Sequence, residues 1–409
     1  MQQHVVETID PTVLGRRLQE ARKARGFTQQ EVATSLAVAR TTITALEKGD
    51  RRTRSDELIQ MARLYGRPVS DFVGQKEPTS DFTAQFRAVV SSASLPQDQK
   101  ELEQAVQEFQ HLCEDYLYLE SLNGTSLRRN YPSQYLIDRI APEDAAEDVA
   151  WSERNRLGLG DGPALHLRET LENDVGVRVF STELPSRVAG IFSYTEELGG
   201  CIAVNARHPD ERRRWSMAHE YGHFLTSRFQ SEISMLGVYR RVPASERFAD
   251  AFARCMLMPS TGLRRKFNEL SRAVDGKITA AEICRLAHHY FVSVEAMMLR
   301  LEELRLLPPG TWDRLRDRGF KVQEARTQLG LIPRPKCDGL LPLRYLLLAV
   351  RAYEDGNLTE GELARLLRVD RVSARRTVQN LTHPIYLLDE GEVASLSIDL
   401  ASTIIEKRF

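Results

Sequence analysis

The chain has 409 residues, 42% hydrophobic and 28% charged, with 24 Gly and 17 Pro, which reads as a soluble globular protein of two or three domains and excludes fibrous and disordered classes. A formal net charge of -1 gives no overall bias toward an anionic partner, so any nucleic-acid surface must be local. Met1 to Asp10 lacks the apolar core of a secretory signal, and the best apolar run, Tyr345 to Val350, is far too short for a bilayer. A cytoplasmic protein without membrane contact is expected. Cys113, Cys201, Cys255, Cys284 and Cys337 form no CxxC pair and read as free buried thiols in a reducing compartment.

The first helix is expected from Pro11 to about Lys23, burying Leu14, Leu18 and Ala21. Gly26-Phe27 breaks it, and Thr28 with Glu31 three residues on forms a capping box for a second helix, Gln29 to Leu36. Ala37-Val38 turns the chain into a third helix, Arg40 to Leu46, closed by Gly49. Helix, short turn and helix at this spacing lets the later helix enter a major groove. Between Pro11 and Val73 stand 12 Lys/Arg against 7 Asp/Glu, a local basic excess on a neutral whole. Arg40, Thr41, Thr42 and Thr44 project from the start of the third helix, and Lys48, Arg51, Arg52 and Arg54 are placed to meet phosphates.

From Gly74 to Leu95 the chain turns polar, as a linker does. Leu102, Val106, Phe109, Leu112 or Cys113, Tyr116 and Leu119 then mark an amphipathic helix, Lys100 to Leu122, ending near Asn123-Gly124. Its stripe either packs on its own domain or forms a homodimer seam. Leu165 to Asp174 reads as helix, and Val175 to Phe180, Val188 to Phe192 and Cys201 to Asn205 as short strands. Helices follow over Glu211 to Phe229, Ala244 to Met258 and Thr279 to Leu304, and Pro308-Pro309-Gly310 ends the block. The tail carries helical patterns over Leu341 to Tyr353, Leu358 to Leu367 and Val372 to Asn380, divided at Gly356-Asn357. No internal repeat is read.

His219 and His223 lie four apart and so share one helix face, where both imidazoles can coordinate one zinc ion and leave a fourth position for water. Glu220 beside them can take a proton from that water and deliver it to a leaving amine. Gly222 lets another helix pass close to the metal. Glu246 and Asp250, also four apart, stand on a second helix whose other face (Phe248, Phe252, Met256) is apolar. Either Glu246 completes the site and Asp250 orients an imidazole, or the two exchange roles. Tyr194 or Tyr239 can donate to a tetrahedral oxyanion, and Cys201 to Asn205 can serve as an edge strand that pairs with an extended substrate.

Leu14-Gly15-Arg16-Arg17-Leu18, Thr28 to Ala33, Ile43 to Gly49 and Pro68 to Phe72 resemble the XRE/phage-repressor helix-turn-helix family. The resemblance implies a five-helix DNA-binding module in which Gln29 touches a phosphate and the helix from Arg40 reads bases. Arg214 to His223, Glu246 to Ala253 with Leu257-Met258-Pro259, and Val292 to Ala296 look like the ImmA/IrrE family of metallopeptidases, over roughly 170 to 305. That resemblance implies a zincin-like fold, zinc held by His219, His223 and Glu246, Glu220 as general base, and a transcriptional repressor as protein substrate. The tail is similar to the C-terminal region of regulators that fuse both modules.

The expected architecture is mainly α with a small mixed sheet (α+β): helix-turn-helix over 11–73, linker and amphipathic connecting helix over 74–160, zinc metallopeptidase over 161–305, and a helical region without assigned role over 306–409. The expected function is a DNA-binding transcriptional regulator with a site-specific endopeptidase that cleaves a repressor or partner in a stress, phage or mobile-element response. Two alternatives stay open: a non-proteolytic transcription factor whose zincin-like domain senses a ligand or metal, and a toxin-antitoxin or phage-defence component.

Overall fold

The Asp10 carboxylate accepts the Thr12 N–H at 2.8 Å and so opens α1 (Pro11–Ala24) with a side-chain cap and a proline in the first turn. The computed structural model describes residues 10–25, 27–65, 69–73, 86, 96–137, 140–230, 232–235, 242–331, 339–382, 385–387 and 393–395. The chain divides into two compact units, residues 1–110 and 111–409.

In the first unit, α2 (Gln29–Ser35) begins at the expected capping box: Glu31 N–H donates to Thr28 Oγ1 at 3.2 Å, and Thr28 N–H donates to the Glu31 carboxylate at 2.7 Å. After α3 (Arg40–Lys48) the chain turns at Gly49 with φ +79°, where a Cβ would lie 2.6 Å from Thr12 Cα. Helices α4 (Ser55–Tyr65) and α5 (Ser70–Val73) complete the expected five. Leu14, Leu18, Val32, Ile43, Leu46, Leu58, Met61, Tyr65 and Phe72 form its core.

Helix α6 (Pro96–Leu122) is continuous, and its last turns bury Cys113, Tyr116 and Leu119 in the second unit. Next come α7 (Pro142–Arg156) and α8 (Leu167–Thr170), the latter running on into a π-helical turn over Leu171–Val175. Helix α7 falls in the stretch read as linker, where its alanine-rich apolar face escapes a search for large hydrophobic residues. Strands β1 (Arg178–Thr182), β2 (Val188–Thr195), β3 (Gly199–Asn205) and β4 (Glu232–Met235) make one mixed sheet in the order β1-β3-β2-β4. Strand β3 pairs parallel with β1 (Phe180 opposite Ala203) and antiparallel with β2 (Ile191 opposite Ala203); β2 pairs antiparallel with β4. The reading of 201–205 as an edge strand is therefore overturned. β3 is interior, and every residue of it is buried, Gly199 to Val204 as an apolar run and Asn205 with its amide donating to the Leu184, Pro185 and Val188 carbonyls.

Helices α9 (Asp210–Thr226), α10 (Ala244–Leu257) and α11 (Ser260–Ala273) follow, the last with no counterpart in the sequence reading. The single helix expected over 279–304 is two, α12 (Ala280–Tyr290) and α13 (Val294–Glu303). Phe291 breaks it in the left-handed region (φ +54°), and Ser293 caps α13 by accepting the Ala296 N–H at 3.1 Å. Short helices α14 (Thr311–Asp317) and α15 (Val322–Gln328) precede the three tail helices, α16 (Leu343–Glu354), α17 (Glu360–Leu366) and α18 (Arg371–Thr382). A two-stranded ribbon, β5 (Ile385–Leu387) with β6 (Val393–Ser395), comes last.

The tail is part of the second unit's core. Arg344 on α16 and Arg178 on β1 both reach the buried Glu120 carboxylate at 2.6 Å, Tyr345 stacks on Tyr116 with ring centres 5.5 Å apart, and Arg368 reaches Asp115 at 2.7 Å. The tail also contradicts the absence of an internal repeat, because α16–α17–α18 reproduce the spacing of α1–α2–α3. No helix among the described residues is long and apolar enough to cross a membrane. Cys113, Cys201, Cys255 and Cys284 are free and buried; Cys337 lies outside the described residues.

Candidate metal centre and nucleic-acid interface

Helix α9 is buried along nearly all of its second half, so the pair His219 and His223 presents both rings to one small space. Their Nε2 atoms lie 3.1 Å apart. From the first turn of α10, Glu246 brings its carboxylate within 3.4 Å of His219 Nε2 and 3.6 Å of His223 Nε2. Bonds of about 2.0–2.2 Å in a tetrahedral site put ligand atoms roughly 3.3–3.6 Å apart. The two separations to Glu246 fall in this range and the one between the imidazoles is about 0.2 Å shorter, so the three side chains form a group able to hold a metal ion. Asp250, one turn along α10, accepts from His219 Nδ1 at 2.9 Å, which leaves Nε2 of that ring facing Glu246 and His223.

The electrostatics follow from burial and from these partners. Burial opposes charge on His219, but the Asp250 and Glu246 carboxylates outweigh it and lift the ring to about 10. Burial raises the carboxyls of Glu246 and Asp250, and hydrogen bonding to His219 reverses this and holds both below their usual values. Glu220 differs. Burial raises its carboxyl above the usual range, against the pull of both histidines, and neither oxygen has a hydrogen-bond partner among the described residues. Ser234 on β4 lies near enough to pull the carboxyl down somewhat, yet outside hydrogen-bond geometry.

Two glycines explain how these groups come together. A Cβ at Gly222 would stand 3.2 Å from Ala249 Cα, so α9 and α10 cross closely at that point, as the sequence reading anticipates. A Cβ at Gly190 on β2 would fall 2.4 Å from Glu220 Oε1; only a residue without a side chain leaves room for this carboxylate. Gly190 and Ser234 were missed in the sequence because strand pairing alone brings them beside Glu220. A second group was also missed. The Tyr221 hydroxyl donates to Glu153 at 2.5 Å, Arg156 donates to the same carboxylate at 2.7 Å, and Tyr135 donates to it at 3.0 Å. This buried network ties α9 to α7.

Of the two tyrosines considered as oxyanion donors, Tyr239 lies outside the described residues. Tyr194 sits four residues along β2 from Gly190, about 13 Å at strand rise. It packs on Tyr131 and Phe229, with ring centres 6.3 and 5.3 Å away.

In the first unit, Arg40, Thr41, Lys48 and Arg52 are exposed on and after α3, and Thr42 and Thr44 are half-buried. Gln29 is engaged internally: it donates to Glu47 at 2.9 Å and accepts from Thr44 at 3.1 Å. Arg51 pairs with Glu57 at 2.8 Å and Arg54 with Asp56 at 2.7 Å. The third helix is itself fixed by a nearly buried ion pair, Arg22 with Glu47 at 2.5 Å.

A helix-turn-helix unit and a paired-histidine, glutamate-completed site define the class of this protein. Residues 18–72 match the helix-turn-helix family model, and residues 172–302 match that of the IrrE N-terminal-like domain. The chain thus carries a helix-turn-helix domain joined to an IrrE N-terminal-like domain. Among curated relatives, the cryptic phage CTXphi transcriptional repressor RstR of Vibrio cholerae is 29% identical over 65 residues, 16% of this chain and 59% of the relative. The HTH-type transcriptional regulator ImmR of Bacillus subtilis (strain 168) is 33% identical over 64 residues, 16% of this chain and 50% of the relative. The chain spans between half and three-fifths of the length of these relatives. The crystal structure of ComR from Streptococcus suis aligns over 91% of this chain and 94% of that chain at 9% identity; its TM-score of 0.16 carries no argument about the fold.

Proposed function

We propose that the protein is a DNA-binding transcriptional regulator whose IrrE-like domain is a zinc-dependent endopeptidase specific for one protein partner. The observation that supports it best is the pairing of a three-ligand group at tetrahedral spacing with a buried, unpartnered carboxylate beside it. A buried carboxylate without hydrogen bonds costs about 1–3 kcal/mol or more, so its presence favours a chemical role over a structural one. His219, His223 and Glu246 hold zinc in this reading, and Asp250 fixes the His219 tautomer. Zinc bound there supplies a Lewis acid that polarises a peptide carbonyl and acidifies water. Glu220 accepts a proton from the attacking water as the carbon–oxygen bond forms, then passes it to the amide nitrogen as the carbon–nitrogen bond breaks.

At the other end of the chain, the exposed start of α3 lies in the major groove of duplex DNA, with Arg40, Thr41, Thr42 and Thr44 toward bases and Gln29, Lys48, Arg51 and Arg52 toward phosphates. The helix-turn-helix region's similarity to a cryptic phage transcriptional repressor supports a repressor as the protein cleaved, in a stress, phage or mobile-element response. Elemental analysis of the purified full chain tests the centre. About one zinc per chain is expected in the wild type and in Glu220→Gln, and none in His219→Ala or Glu246→Ala. Metal-free wild type after chelator-free purification overturns the peptidase. Glu220→Gln that still cleaves a partner repressor overturns the role of the base.

A further inference from the structure

We infer that the tail helices α16–α18 are a second helix-turn-helix that binds duplex DNA. The correspondence with α1–α3 runs without a gap at one constant offset of 331 positions. Thr28, Glu31, Ala33, Leu36, Val38 and Arg40 recur as Thr359, Glu362, Ala364, Leu367, Val369 and Arg371. The capping box recurs, with Thr359 N–H donating to Glu362 at 2.8 Å as Thr28 N–H does to Glu31 at 2.7 Å. So does the turn. Ala37 and Arg368 are left-handed at φ +54° and +57°, and the next N–H donates back in the same way, Val38 to Ala33 O at 2.9 Å and Val369 to Ala364 O at 3.1 Å. The first helices share the register too: buried Leu14, Leu18 and Ala21 answer to buried Tyr345, Ala349 and Ala352.

Geometry of this kind is not enough by itself, as α12 and α13 show. They also have a capping box (Thr279 with Glu282) and a left-handed turn at Phe291, but the second of these helices buries Met297, Met298, Arg300 and Leu301 and offers no groove-reading face. Helix α18 buries only Ala374, at the position of Ile43. Its outer face carries Arg371, Arg375 and Arg376 and no acidic residue, a charge complementary to phosphate. Arg371 stands where Arg40 does, and Arg375 and Arg376 stand where Thr44 and Ala45 do. Arg375 is held by Glu360 at 2.9 Å, whereas Arg371 and Arg376 make no ion pair or hydrogen bond among the described residues. Val372, at the position of Thr41, is 64% exposed; an apolar side chain there matches a thymine methyl. One departure matters: Leu346 replaces Gly15, the residue whose lack of a side chain lets α3 press on α1, so α18 leans less closely on α16. That leaves more of α18 in solvent.

The test uses the full chain and a labelled random-sequence DNA duplex, with anisotropy followed over about 50–200 mM salt. Arg371→Gln/Arg376→Gln removes two phosphate contacts, so the log–log salt slope should become shallower by about 1.8, with binding weaker on the order of tenfold. Arg371→Lys/Arg376→Lys should restore the slope. Arg40→Gln/Lys48→Gln should leave residual binding that the tail substitution then abolishes. A tail Gln variant with wild-type slope and affinity refutes the second DNA surface, as does an Arg40→Gln/Lys48→Gln variant that binds nothing. Displacement of the residual binding by polyglutamate as readily as by unlabelled duplex reassigns the face to an acidic protein. An Arg40→Gln/Lys48→Gln variant that binds like wild type instead refutes the role given to α3 and leaves the tail surface standing.

Discussion

Replacing Asp250 separates a ligand from an orienting residue, the one ambiguity that spacing alone leaves between Glu246 and Asp250. Asp250 accepts from His219 Nδ1 at 2.9 Å, on the opposite side of the ring from the Nε2 that faces Glu246 and His223. Its removal takes away no ligand atom. What it removes is the acceptor that keeps the proton on Nδ1 and the ring turned toward the site. Losing such a partner typically costs 10–100-fold in metal affinity, or about 1.4–2.7 kcal/mol. Asp250's side chain is 59% exposed against 12% for Glu246, so water replaces part of the lost bond and the loss for Asp250→Ala belongs near the tenfold end.

The assay is competition for zinc between the stripped full chain and a chromophoric chelator. Asp250→Ala should bind one zinc about tenfold more weakly, Asp250→Asn should recover most of that because its carbonyl still accepts from Nδ1, and Glu246→Ala should lose stoichiometric binding. Asp250→Ala that loses zinc as completely as Glu246→Ala would falsify the division of roles. Wild-type affinity in Asp250→Ala would show that packing alone orients the ring.

Three further outcomes follow from contacts away from the ligands. Gly190→Ala drives a methyl to 2.4 Å from Glu220 Oε1, so denaturant titration should show a loss of about 1–3 kcal/mol and partner cleavage should fall while zinc is kept; unchanged stability and cleavage count against the packing argument. Burial raises Glu172 from 4.5 to about 7, against Arg168, so the fold favours its neutral form. The resulting penalty is absent below about pH 4.5, grows as pH rises, and reaches about 3 kcal/mol above pH 7. Glu172→Gln should therefore raise the denaturation midpoint at pH 8 but not at pH 4, and an equal change at both is the contrary result. Glu47→Ala leaves Arg22 unpaired in the first unit and should cost about 3–5 kcal/mol there, abolishing DNA binding with zinc content unchanged; a wild-type melting profile refutes the buried pair as the clamp on α3.

What the sequence made legible was local. A capping box, a glycine closure or two histidines four apart are each written within one turn or one helix, so Thr28 with Glu31 and His219 with His223 could be placed before any fold was known. What it hid was brought together through space. Gly190 reaches Glu220 only because β2 and α9 pack face to face, and Glu153 reaches Tyr221 only because α7, an alanine-faced helix in a supposed linker, lies beside α9. Strand order was hidden for the same reason, since β3 is interior only once β1 and β2 close on it from both sides. The break at Phe291 escaped because a bulky residue takes the left-handed turn that glycine usually marks.

The hidden parts are also the ones that explain why the legible ones persist. Glu220 is a poor choice for stability: fully buried, without a hydrogen bond among the described residues, and close enough to β2 that only glycine fits opposite. The surrounding structure offsets that strain, with α9 tied to α7 through Tyr221, Glu153 and Arg156 and pressed on α10 at Gly222. A helix held on both sides keeps His219, Glu220 and His223 in one orientation, so in the proposed function little ordering would remain when a cation arrives.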